Sequence, residues 1–162
     1  MFKSLNYPPF EYRIRPVARG YEIWDNLRKK YVKLTPEEWV RQHVINYLIT
    51  EKQYPAGRLA LEMQHKYLQQ GRRTDLIAFN ATMQPCLLVE CKAPEIILNN
   101  KVIEQSALYN TQIKSPFTLI TNGLSHYCFQ TDYMQKKSWY IDEIPDYAKA
   151  TAIFDVDLLT EE

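Results

Sequence analysis

The chain has 162 residues, of which 46% are hydrophobic and 24% charged, with a formal net charge of +1. This length supports one domain with a sizeable core, and the composition excludes a disordered or fibrous chain. No apolar run reaches the length of a membrane span, and the N-terminus lacks the apolar stretch of a secretory signal, so we expect no membrane partner.

Three cysteines, Cys86, Cys91 and Cys128, form an odd set without the spacing of a metal site. They are expected to be buried thiols in a reducing compartment, which makes the cytoplasm the default location.

The charge is uneven along the chain. Residues 1–34 carry a local +5 and residues 142–162 a local −6. The basic segment could follow nucleic-acid phosphates, but on charge alone a solvated surface of mixed charge is favoured. The acidic end could be a soluble tail.

The first predicted elements are short strands over residues 11–15, 21–24 and 30–33, which form a small hairpin extension over 10–33. A helix then begins at Thr35, a good N-cap, with Pro36 at the first helical position and Glu38 completing a capping box; it runs to about residue 52.

The remaining pattern is typical of a mixed sheet with flanking helices. The predicted elements are strands over 58–65, 72–79 and 86–92, a helix over 100–114, and strands over 117–121, 125–130 and 139–141. Asn122-Gly123 is a strong turn signal. No repeat or linker interrupts the chain, so we predict one α/β domain over 1–162, with its core at about 35–131 and an acidic segment at 142–162.

The most informative residues are Asp75, Glu90 and Lys92, on two successive strands. Glu90 and Lys92 share a face because strand side chains alternate. If Phe79 and Cys86 bracket a centred loop, opposed residues have numbers that sum to 165, which places Asp75 across from Glu90 with Cβ atoms roughly 5 Å apart. Opposed like charges are destabilising, and a hard divalent cation would relieve them.

Other interpretations remain open at this point. The three residues could form a surface salt-bridge cluster, and Glu38 is explained by its cap without any catalytic role. Gln105 and Tyr109 share a helix face, either packed on the sheet or directed at a cleft. The sequence has no phosphate-binding loop of a nucleotide-driven motor and no Gly-x-Ser-x-Gly elbow, so no nucleotide cofactor is expected.

The ordered set of a helix glutamate (Glu38), Asp75, Glu90-Cys91-Lys92 and Gln105-x-x-x-Tyr109 resembles the PD-(D/E)xK nuclease superfamily. Within it, the stretch from Thr35 to Gln130 is similar to the N-terminal nuclease domain of type I restriction enzyme R subunits, in a short stand-alone form. Thr74 departs from the usual proline, and the motor parts are absent from this sequence.

The resemblance implies a restriction-endonuclease-like αβββαβ core and Mg²⁺-dependent phosphodiester hydrolysis, with Mn²⁺ able to substitute. It implies that Asp75, Glu90 and the Cys91 backbone carbonyl bind the metal, with Glu38 as a further acid. Lys92 would position or deprotonate water, or stabilise charge at phosphorus. The substrate contacts expected near this site are Gln105, Tyr109, Arg72, Arg73, Lys101 and Lys114.

The leading hypothesis is therefore a metal-dependent nuclease acting on DNA, restriction- or repair-related, with RNA not excluded. The alternative is a nucleic-acid-binding or protein-interaction module that keeps this fold with little catalysis. A homodimer would let two sites cut two strands, although no residue pattern demonstrates one.

Overall fold

The computed structural model describes residues 2–64 and 73–156. Its elements in chain order are β1 (Ile14–Val17), β2 (Gly20–Asp25), β3 (Lys30–Lys33), α1 (Pro36–Thr50), a short 3-10 turn (Ala56–Arg58), β4 (Leu59–Gln64), β5 (Arg73–Phe79), β6 (Pro85–Cys91), α2 (Asn100–Ile113), β7 (Phe117–Thr121), β8 (His126–Asp132), β9 (Lys137–Ile141) and α3 (Tyr147–Val156). Among the described helices, none is long and apolar enough to cross a membrane.

The described strands form two sheets. Strands β1, β2 and β3 make an antiparallel three-stranded sheet, called here the N-terminal sheet. The main sheet has the order β4-β5-β6-β7-β8-β9, with β6 and β7 parallel and the other neighbours antiparallel. The predicted mixed α/β class with flanking helices is confirmed.

Helix α1 begins as its cap residues predict and covers one face of the main sheet. The Thr35 hydroxyl accepts the Glu38 N–H at 3.1 Å. Val40, Val44 and Leu48 recur at helical spacing, are fully buried and belong to the main core with Leu76, Ala78, Leu87 and Val89 of the hairpin. The capping and the apolar stripe together fix α1 against β5 and β6.

Helix α2 covers the opposite face and connects the two parallel strands. Val102, Ile103 and Ala107 pack on a second cluster that includes Ile120 and Phe129. Parallel neighbours need such a crossover, and their carboxyl ends then lie at the same sheet edge. The Lys92 N–H accordingly donates to the Thr121 carbonyl at 2.8 Å, just past the end of β6.

The predicted register of the β5–β6 hairpin is confirmed over its central pairs. These pairs have numbers that sum to 165: Leu76 with Val89, Ile77 with Leu88, and Ala78 with Leu87. A bulge then places Phe79 opposite Pro85. The Asn80 side chain organises this turn, since its Oδ1 accepts the N–H groups of Thr82 and Gln84.

The C-terminal segment contains a helix that the charge count did not predict. Ala150 of α3 is fully buried, and Ile153 and Phe154 pack against the main core. The Tyr54 hydroxyl donates to the Pro145 carbonyl at 3.0 Å. The interpretation of residues 142–162 as a soluble tail is therefore wrong for 147–156, because apolar residues at helical spacing bury one side of an otherwise acidic segment.

Other differences are small and have local causes. Pro16 lies within β1, whereas the sequence predicted a strand ending before it; β1 is an edge strand of its sheet, where a missing N–H is tolerated. The three cysteines are free and buried, as predicted.

Gly123 lies between β7 and β8, in contact with the N-terminal segment. Gly123→Ala should be destabilising for two separable reasons. Its φ is +82°, and a Cβ there would lie 2.8 Å from Leu5 Cδ2. Gly20 also has a positive φ, of +95°, but open space around it. In urea unfolding, Gly20→Ala should cost about 1 kcal/mol from backbone strain and Gly123→Ala more than that. Gly57→Ala, with neither feature, should stay within about 0.5 kcal/mol. Equal losses at Gly20 and Gly123 would contradict the Leu5 contact.

Candidate active site

Asp75, Glu90 and Lys92 lie together where β5 begins and β6 ends. Leu76 is paired with Val89, and Asp75 and Glu90 are the next residues along that register. Lys92 Nζ donates to Glu90 Oε1 at 2.6 Å. The side chains of Asp75, Glu90 and Lys92 are 13%, 15% and 29% exposed, so the group is shielded but accessible from solvent.

The Asp75 carboxylate connects the sheet to helix α1 and to its own hairpin partner. Its Oδ1 accepts a hydrogen bond from Arg41 Nη2 at 2.6 Å. Its Oδ2 accepts the backbone N–H of Cys91 at 2.8 Å. Both oxygens therefore have a donor, and the side chain is held in one orientation at the edge of the site.

Arg41 is the buried cation of this region. Its side chain is only 7% exposed, and it contacts three carboxylates: Asp75, Glu37 at 3.2 Å, and Glu38. Burial disfavours its charge, but Asp75 and Glu38 outweigh burial and raise the Arg41 pKa. A guanidinium suits this position because its planar fork can serve several carboxylates at once.

Glu38 is linked to the β5–β6 hairpin through Arg41, which pairs with both Glu38 and Asp75. Its Oε1 accepts from Gln42 Nε2 at 2.8 Å and from Arg28 Nη1 at 3.4 Å, and its Oε2 accepts from Arg41. These contacts are those of a residue that positions Arg41 and attaches the N-terminal sheet to α1. Its assignment as a metal ligand stays a prediction.

The electrostatics of Glu90 and Lys92 are coupled. Burial first, and then the Asp75 charge, raise the pKa of Glu90 to about 7, against the opposing effect of Lys92. For Lys92 burial acts to lower the pKa, yet the charge and hydrogen bond of Glu90 raise it overall. Lys92 therefore holds its proton at neutral pH, and the environment disfavours a second carboxylate charge beside Asp75.

The other predicted site residues are not brought to this cluster by any contact that the structure describes. The Gln105 side chain is exposed on α2, and no hydrogen bond joins it to Asp75, Glu90 or Lys92 within the described ranges. Arg72 lies outside the described residues, and so do the side chains of Arg73 and Tyr109. Their substrate roles stay predictions.

Sequence reasoning did not single out Arg41, which the structure places at the centre of the charge network. A signal was present, because Arg41 follows Glu37 by four residues and Glu38 by three, the spacings at which helix side chains meet. What the spacing could not reveal is the contact with Asp75, which depends on how α1 packs on β5.

The oxygen ligands at this site are chemically suited to a hard divalent cation, although the described side chains alone do not form a complete ligand shell. Asp75 and Glu90 offer carboxylate oxygens, and the mutual repulsion of two carboxylates favours a cation beside them. However, no three His, Cys, Asp or Glu side chains in the described ranges are grouped closely enough to hold a metal. Arg41 already occupies one Asp75 oxygen.

Replacing Arg41 should destabilise the protein strongly. In Arg41→Met, Asp75 and Glu38 remain shielded from solvent without their shared counter-charge, so we expect a loss of about 3 kcal/mol. Arg15→Met is the matched control, since the Arg15–Glu22 pair is 53% and 27% exposed and should contribute below about 1 kcal/mol. Chemical denaturation at neutral pH measures both, and similar losses for the two variants would contradict this account.

The Glu90 pKa predicts a pH dependence of stability. Since its folded-state pKa is raised from 4.5 to about 7, the stability it contributes is present below about pH 4.5 and is lost as the pH rises through 7. Glu90→Gln removes this loss. The free energy of unfolding of Glu90→Gln relative to the wild type, measured in EDTA, should therefore increase between about pH 5 and pH 8. Glu104→Gln, on the exposed side of α2, is the control; a flat difference for Glu90→Gln would refute the raised pKa.

The fold is similar to that of a solved structure. A fragment of a protein described as an HsdR subunit of a type I restriction enzyme, from Vibrio vulnificus YJ016, matches with a TM-score of 0.54 and 17% sequence identity. The match covers 76% of this chain and 26% of the solved fragment, so the chain spans about a quarter of the length of that fragment. No curated protein matches the chain.

The sequence itself also matches a family model. That model describes the type I restriction enzyme R protein N terminus (HSDR_N) and covers residues 36–145, which is most of the chain and includes Asp75, Glu90 and Lys92. This chain belongs to the family of type I restriction enzyme R protein N-termini.

Proposed function

We propose that this domain is a divalent-metal-dependent nuclease that hydrolyses phosphodiester bonds of DNA. The family supports a restriction-related role, and DNA is the substrate that a restriction enzyme implies. We place this activity in the cytoplasm, where its buried free thiols stay reduced.

One observation carries the proposal: two carboxylates and a lysine converge at one end of a buried hairpin. The inner residues of β6, from Cys86 to Val89, are all buried, so charge is tolerated only where the strand emerges. Holding Glu90 half-buried beside Asp75 costs stability, because burial first and the Asp75 charge second disfavour the Glu90 carboxylate and raise its pKa. Such a cost is typical of groups kept for chemistry rather than for folding.

The metal would be held by Asp75 and Glu90, with the Cys91 backbone carbonyl as the third proposed ligand and Mg²⁺ as the natural ion. A bound divalent cation supplies Lewis-acid polarisation of the phosphate and lowers the pKa of a coordinated water. Glu38 is better supported as the residue that positions Arg41, because the described hydrogen bonds of its carboxylate come from Arg28, Arg41 and Gln42.

The chain's own residues have distinct roles in this proposal. In hydrolysis a water oxygen bonds to phosphorus, the P–O ester bond breaks, and the departing oxygen takes up a proton. Because Lys92 keeps its proton at neutral pH, it is suited to holding water and to stabilising the negative charge that develops at phosphorus. Arg41 fixes the orientation of the Asp75 carboxylate by an ion pair with Oδ1.

A second candidate is a DNA-binding module with little catalysis. The observation in its favour is that Arg41 already neutralises Asp75, so a cation would have to share or displace this contact. Calorimetric titration with Mn²⁺ separates the two candidates. Mn²⁺ binding by the wild type that is lost in Asp75→Asn supports the nuclease. A wild type that shows no heat of Mn²⁺ binding supports the DNA-binding module.

The purified protein should degrade DNA with Mg²⁺ or Mn²⁺ and lose this activity in two variants. Asp75→Asn and Lys92→Ala should each lower the rate by at least about a hundredfold, because the first removes a proposed metal ligand and the second removes positive charge at the reacting phosphate. Lys149→Ala, an exposed lysine on α3, is the matched control and should leave the rate unchanged. A gel assay of plasmid and linear DNA measures the loss, and full activity of Lys92→Ala would overturn the mechanism.

A further inference from the structure

The N-terminal sheet contains a concentration of positive charge that the family match does not cover. Residues 10–33 hold seven Lys or Arg and three Asp or Glu, a formal +4, whereas the whole chain carries +1. The matched range begins at residue 36. The rest of the chain is therefore net acidic, and the basic segment is a local feature.

One face of this sheet is buried against the rest of the molecule. Ile14, Ile23 and Val32 oppose one another across the three strands; Ile23 is fully buried in the main core, and the other two pack against it. Side chains alternate along a strand, so the neighbours of these residues point to the other face. This outer face carries two rows, one of Arg13, Trp24 and Tyr31 and one of Arg15, Glu22 and Lys33.

Cationic and aromatic side chains stack on the outer face. Arg13 Cζ lies 4.8 Å from the centre of the Trp24 ring, and Arg15 Cζ lies 3.9 Å from that of Tyr31. Glu22 pairs with Arg15 at 2.6 Å, so one carboxylate stands against three cations. Stacking already restricts the two guanidinium groups, so less side-chain entropy is lost when their remaining N–H donors bind an anion.

The same sheet adjoins the candidate active site. Arg28, between β2 and β3, binds Asp25 at 2.9 Å and Glu38 at 3.4 Å. Glu38 binds Arg41, which binds Asp75. The β2–β3 end of the N-terminal sheet is therefore linked to Asp75 through Glu38 and Arg41, and a polyanion that runs along the outer face past this end would approach the candidate site.

We propose that the outer face of the N-terminal sheet binds the sugar–phosphate backbone of DNA and holds it beside the Asp75–Glu90–Lys92 site. The choice of DNA as partner rests on the proposed nuclease function. The alternation of arginine and aromatic groups on an open sheet favours a nucleic acid, because phosphates take the N–H donors and bases can stack on rings and guanidinium planes.

The test compares two triple variants that lose the same charge. Arg13→Gln, Arg15→Gln and Lys33→Gln remove the outer-face cations; Lys136→Gln, Lys137→Gln and Lys149→Gln remove three exposed lysines elsewhere. Binding to labelled duplex DNA is measured by fluorescence anisotropy in EDTA, across a salt series. The outer-face variant should bind at least about tenfold more weakly at about 0.1 M salt, and its slope of log K against log salt should become shallower by about 2–3. Thermal unfolding checks that both variants remain folded.

The outcomes separate this inference from the proposed function. Equal weakening in both variants, or in neither, overturns the outer-face site, whether or not the protein cuts DNA. Selective weakening without any Mn²⁺-dependent cleavage by the wild type supports the surface and rejects the nuclease. Where the wild type cuts, the outer-face variant should need more DNA for its half-maximal rate and keep its kcat, because no outer-face cation touches the reacting phosphate.

Discussion

The buried guanidinium of Arg41 is the contact on which the arrangement of the candidate site depends. It joins Asp75 of β5 to helix α1, and the same guanidinium also neutralises Glu38. With Asp75 Oδ1 committed to Arg41, Oδ2 is available to accept the Cys91 N–H, which holds the hairpin ends together. Two carboxylates that would repel one another can therefore stay shielded from water on separate elements, and the helix cannot slide along the sheet without breaking an ion pair.

The location of the site follows from the sheet topology. β6 lies in the middle of the main sheet, is covered by α1 on one face and α2 on the other, and is apolar along its interior. Charged side chains are tolerated only where the strand emerges from between the two helices, at Glu90 and Lys92. The parallel pairing with β7 brings a second strand end to the same edge, where the Lys92 N–H meets the Thr121 carbonyl.

Local rules predicted the parts of this protein that local interactions determine. The start of α1 follows from Thr35 and Pro36, and the hairpin register follows from residue numbers because the turn is short. Arg41 could not be assigned its partner from sequence, since the ion pair with Asp75 spans 34 residues and depends on helix packing. Helix α3 was missed for a different reason. Its segment is acidic overall, and its narrow apolar side can be recognised only when the core that it packs against is known.

The Arg28–Glu38 pair bears on why the N-terminal sheet would be retained. A sheet that only added surface could be lost by deletion without harm to the rest of the fold. Here the sheet supplies a counter-charge to a carboxylate inside the matched family region, so its loss would expose a partly unneutralised Glu38 next to Arg41. Natural lineages that shed the sheet are therefore expected to have changed residue 38 or a neighbour at the same time, a paired change that comparative sequences can reveal.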